Sequence, residues 1–134
     1  MNILLLVLLL FCVCGCSPQK TLARRLKDAD RLVVLDPYDA RTITVTGEQL
    51  TNVIHALEVC QRISSRGLAD SPDFVLIFFR AAVHVATLQT GSGVVFYIDH
   101  RPYEDRSRSL SPVRQKFQEQ YLRLRDPMPQ DGSR

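Results

Sequence analysis

The residues with chemistry to offer are few: His55, His84, His100, Cys60 and a scatter of carboxylates. No histidine stands three or four residues from another histidine or from a cysteine, the spacing that would turn two ligands toward one zinc ion. Asp99-His100 followed by Glu104-Asp105 is the one group with ligand types suited to a hard or borderline cation. It matches no zinc or calcium pattern, and a solvated loop explains it better. Gly91-Ser92-Gly93 lacks the flanking spacing of a nucleophile elbow and lies between two strand-like runs, where the elbow needs a strand and then a helix. It reads as a hairpin turn. Neither paired carboxylates nor a Cys-His arrangement can be built from linear spacing, so no catalytic residue, metal ligand or cofactor is assigned. Residues distant in sequence could still meet in the fold.

Two further features bear on binding. Arg101, Arg106, Arg108, Arg114, Lys116, Arg123 and Arg125 outweigh the acids Glu104, Asp105 and Glu119 around them. Arginine forks suit carboxylate and phosphate, so Arg101, Arg106, Arg108 and Arg114 are the candidate contacts to an anionic partner. Arginines scattered over this stretch need not share a face, and a solvated edge is the plainer reading. Cys60 falls in helical phase with Val53 and Leu57, which predicts a buried, inert thiol.

The elements that must position these residues follow from periodicity. Leu32-Val33-Val34-Leu35 reads as a strand, ended by the turn residues of Asp36-Pro37-Tyr38-Asp39. Thr42-Ile43-Thr44-Val45-Thr46 alternates strictly, with Ile43 and Val45 on one face and threonines on the other, which completes a hairpin. Thr46-Gly47-Glu48-Gln49 has the form of a capping box, and Leu50, Val53, Ile54, Leu57 and Cys60 continue as one helical face, predicting a helix to about Arg66. Phe74-Val75-Leu76-Ile77-Phe78-Phe79 is apolar on both faces, as a central strand is. Residues 83–89 and 94–99 follow as two more short strands, predicting an antiparallel meander. Ser111-Pro112 then opens a last helix with Val113, Phe117, Tyr121 and Leu124 on one face. The expected fold is α+β in the order ββαβββα: an antiparallel sheet of about five strands with two helices on one face. Alternating bulky residues in 74–79 would leave a partly apolar second face, which either serves as an interaction surface or is covered by the tether, the arginine-rich loop or lipid.

The N-terminus supplies an address. Residues 3–13 are apolar, about as long as a signal-peptide core and short of the roughly 20 residues a spanning helix needs. Val13-Cys14-Gly15-Cys16 resembles the lipobox of bacterial lipoproteins, an aliphatic residue and a small residue ahead of the cysteine that is acylated. The resemblance covers the first 18 residues and implies removal of residues 1–15 and lipidation of Cys16. Two or more acyl chains would make the attachment to the membrane effectively permanent. Ser17, where an inner-membrane lipoprotein more often carries Asp, implies the periplasmic face of the outer membrane, by analogy with enteric bacteria. Residues 16–28 then read as lipidated N-terminus and tether, residues 29–125 as a single domain, and residues 126–134 as a disordered tail.

Charge narrows the partners. All 17 basic and 14 acidic residues fall in the mature part, for a net +3. A pI near 8.8 without a lysine-rich block does not support nucleic acid as a partner. Cys60 would be the sole cysteine beside Cys16, which excludes an internal disulfide. The expectation is a membrane-tethered envelope module that binds, inhibits or adapts without enzymatic activity. The alternative is a hydrolase of envelope polymers whose site is assembled from separate strands.

Overall fold

The computed structural model describes residues 17–65, 73–91 and 94–125. The expected signal segment and Cys16, residues 66–72, the expected hairpin turn at 92–93 and the expected tail 126–134 lie outside them. Among the described residues seven strands form one sheet: β1 (Arg31–Asp36), β2 (Arg41–Val45), β3 (Gln61–Arg62), β4 (Phe74–Arg80), β5 (Val83–Gly91), β6 (Val95–Ile98) and β7 (Arg101–Glu104). Every pairing is antiparallel, and the order across the sheet is β2-β1-β4-β5-β6-β7-β3. Three helices accompany it: α1 (Pro18–Leu26), α2 (Gly47–Val59) and α3 (Ser111–Arg125).

Period-2 patterning decides which way the strands face. Leu32 and Val34 stand beside Val45 and Ile43 on one side and beside Phe78 and Leu76 on the other, and Leu88 and Ala86 extend both rows. All are buried, and they share one core with Leu22 and Leu26 of α1, Leu50, Val53 and Leu57 of α2, and Val113 and Phe117 of α3. The helices therefore occupy a single face. Phe78 and Phe96 are the largest fully buried side chains. Full burial of a side chain of this size contributes about 1.5–3 kcal/mol.

The expected mix of helices with an antiparallel sheet holds, but the expected element counts do not: among the described residues there are seven strands where about five were expected and three helices where two were. The stretch read as a tether is helix α1, closed into the core by Leu22, Ala23 and Leu26. Strand β7 escapes the pattern because Arg101, Pro102 and Glu104 break the apolar alternation; it is held by pairing with β6. The two-residue turn Asp99-His100 ahead of it has positive φ at both positions, 50° and 62°, the geometry of a type I′ hairpin. Strand β3 is only two residues long, too short for any periodicity.

Helix α2 stops at Val59, before the expected end. Cys60 turns to extended backbone and its N–H still caps the Ala56 carbonyl at 2.9 Å. The capping box does not form: Thr46 makes no side-chain cap, and Gly47 has φ +61°, outside the right-handed first turn that such a box requires. Helix α3 buries Val113 and Phe117 as expected, but Tyr121 and Leu124 are exposed, because beyond Phe117 the helix projects past the core and buries no residue.

Candidate functional site

The face of the sheet opposite the helices is built by the alternate residues of the same strands. Val33, Ile77 and Thr87 form one row across β1, β4 and β5; Leu35, Val75 and Gln89 form the next, continued by Tyr97 of β6. Val33, Leu35, Val75, Ile77, Phe79 and Tyr97 are half-buried, shielded by one another, while Thr42, Thr44, Thr87 and Gln89 flank them exposed. At one end Arg31 holds its guanidinium 4.5 Å from the centre of the Phe79 ring, and His84 meets the same ring edge-on at 6.1 Å. The result is an apolar strip with a polar border on a face that none of the described helices covers.

Beside this strip the sheet has a step. Strand β6 pairs with β5 only at Gln89, Thr90 and Gly91, so, among the described residues, 83–88 have no strand on that side. An open cleft of about 750 Å³ occupies the step, lined by Pro18, Thr21 and Arg25 of α1, the β5 segment from His84 to Gln89, and Tyr97 to His100. Arg25 reaches across to donate from Nη2 to the Val85 carbonyl at 3.1 Å. The β4–β5 register shifts at this point, between Phe78 and Phe79.

The cleft brings together two histidines that linear spacing kept apart. His84 Nε2 lies 2.8 Å from Thr87 Oγ1, an imidazole–hydroxyl pair, and among the described residues no carboxylate orients the ring. His100 and Asp99 share the cleft wall without a side-chain hydrogen bond among the described residues. His55 is on the exposed side of α2, 3.9 Å from Glu58. No group of three or more metal-binding residues occurs among the described residues.

The Asp99-His100 and Glu104-Asp105 cluster is not a cation cage. Asp105 is buried, and its carboxylate is saturated by its own loop: Oδ1 accepts from Ser107 N at 3.0 Å and Ser107 Oγ at 2.5 Å, and Oδ2 from Ser109 N at 2.7 Å and Ser109 Oγ at 2.6 Å. The two serines carry the signal that sequence reading missed, since an Asp followed by Ser at two and four residues is a self-closing loop.

The four candidate arginines do not form one basic patch. Arg101 and Arg108 are exposed at separate ends of the β7 segment and its loop. Arg106 bonds Glu104 at 3.3 Å. Arg114 pairs with Asp73 at 2.8 Å and lies 5.2 Å from the centre of the Phe74 ring, so its charge is used within the fold. Cys60 is buried, as its helical phase predicted, with Sγ donating to the Leu57 carbonyl at 3.1 Å. Burial, and next the negative charge of Asp105, push its thiol up from 9.0 to about 11. Such a thiol is inert near neutral pH.

Comparison of the chain with protein-family models, with curated proteins and with solved structures finds no match. Among the described residues no helix is long and apolar enough to cross a membrane.

Proposed function

We propose that this chain is a cell-envelope lipoprotein, held by acylated Cys16 on the periplasmic face of the outer membrane, whose domain works by contact as a binding, inhibitor or adaptor module. The observation that carries the reading is the strip of Val33, Leu35, Val75, Ile77 and Phe79, left uncovered by the described residues and bordered by hydroxyls and an amide. Apolar surface gathered on one face and rimmed by polar groups is what a protein partner buries. The basic residues of the β7 segment and α3 contribute less than their number suggests, since Arg106 and Arg114 already have acidic partners. A photo-reactive residue at position 77, on the native tethered protein, tests the reading. It is expected to trap a protein partner that the same probe at exposed Lys20 does not; equal yields at both positions would overturn it.

A second reading, hydrolysis of envelope polymers, is favoured by one observation: His84, Asp99 and His100 line the same cleft. Replacing His55, His84 and His100 together by Gln separates the two. A contact module keeps its function, whereas a folded, anchored and inactive triple variant would put the hydrolase first.

A further inference from the structure

We infer that α1 docks this domain directly onto anionic phospholipid headgroups. The inference rests on the proposed anchor at Cys16 and follows from what α1 does to the geometry of that anchor. Residues between an acylated cysteine and a domain ordinarily act as a spacer. Here Pro18 is the first residue of a helix whose Leu22 and Leu26 are in the core. Two residues of extended chain reach about 7 Å, so lipid at Cys16 would leave the first turn of α1 within the headgroup layer.

The exposed side of α1 matches that neighbour. From Ser17 through Lys27 there is no acidic residue, while Lys20, Arg24, Arg25 and Lys27 are all exposed. Lys20, Arg24 and Lys27 recur at helical spacing along one stripe, where they line a shallow groove with Ile54 and the single acid Glu58. Arg25 points the other way, to the Val85 carbonyl. A basic stripe on an amphipathic helix beside an acyl anchor is the combination that adds electrostatic attraction to hydrophobic attachment. The remaining acids of the neighbourhood, Asp28 and Asp30, follow the helix rather than interrupt it.

The test uses the full-length, acylated protein floated with vesicles of phosphatidylcholine alone or mixed with phosphatidylglycerol, followed by reaction with a membrane-impermeant amine reagent. Lys20 and Lys27 are expected to react about fivefold more slowly on the anionic vesicles than on the neutral ones, an effect erased by high salt, while Lys116 on α3 reacts equally on both. In Lys20→Gln, the protection of Lys27 should weaken. Protein that floats with both vesicles but shows equal reaction at Lys20 and Lys27 overturns the docking while leaving the anchor intact. Protein that floats with neither overturns the anchor, and the docking with it.

Discussion

Arg114 holds Asp73 at 2.8 Å while its guanidinium lies against the ring of Phe74, and Phe74 in turn stacks on Phe117 at 5.1 Å between ring centres. One arginine thus ties the first turns of α3 to the start of β4. Its two contacts are partly exposed and modest, about 0.5–1 kcal/mol each. Arg114→Glu removes both and sets two carboxylates together, and is expected to destabilise the domain by about 1–2 kcal/mol in urea unfolding. Charge reversal at Arg101 or Arg108 should change stability by less than about 0.5 kcal/mol.

Asp105 should be the costliest loop residue to alter. In Asp105→Asn the charge that strengthens four hydrogen bonds is lost, and the amide group meets donors where the carboxylate met acceptable partners; a loss of about 2–3 kcal/mol is expected in thermal or urea unfolding. If the variant folds, its Cys60 thiol should titrate below the wild-type value, since the Asp105 charge is one of the two causes raising it.

The same thiol predicts an alkaline dependence. Its pKa is raised in the folded state, so the contribution is fully present below pH 9.0 and is lost as pH rises toward about 11, where the unfolded chain ionises first. Stability measured from pH 8 to pH 11 should fall more steeply in the wild type than in Cys60→Ala, by on the order of 2 kcal/mol over the window. At neutral pH the wild-type protein should resist alkylation until unfolded and remain free of a disulfide-linked dimer. Cys60→Ala itself should cost about 1 kcal/mol, little volume being removed.

Gly91 and Tyr97 make a paired prediction. A Cβ placed on Gly91 would lie 2.9 Å from Tyr97 Cε2, so Gly91→Ala must swing the ring aside, at a cost of about 1 kcal/mol. In a Tyr97→Ala background the same substitution should cost almost nothing, and unfolding of the four variants measures the coupling.

Where residues advertise burial through spacing, the fold was legible. Ile43 and Val45 face the core and Thr42 and Thr44 the solvent, Phe74 to Phe79 form an interior strand, and Val113 and Phe117 seat α3. What escaped depended on contacts remote in sequence. Leu22 and Leu26 are too few to announce a core helix until α2 and the sheet supply the other side. Pro102 and its charged neighbours hide a strand that only pairing with β6 reveals. The candidate site divides in the same way. The open face was legible from alternation in β4, whereas the cleft was not, because His84 and His100 come to line it only through a step in strand lengths. Arg114 looked like surface charge because Asp73 stands far from it in sequence.

The step left by β6 has a bearing on self-association. A run of strand from Val83 to Leu88 that is paired with β4 but has no described strand on its other side is a template on which a second sheet can grow, and Val83 is itself exposed. Two features spoil it: the guanidinium of Arg25 occupies the Val85 carbonyl, and the irregular register there bends the edge out of line. Arg25→Ala should therefore leave the unfolding transition almost unchanged yet shorten the lag before concentrated protein forms sheet-rich aggregates, as dye binding would record. Helix α1 would thus also keep neighbouring copies from joining edge to edge, a safeguard with most to do where the proposed anchor crowds molecules on one surface.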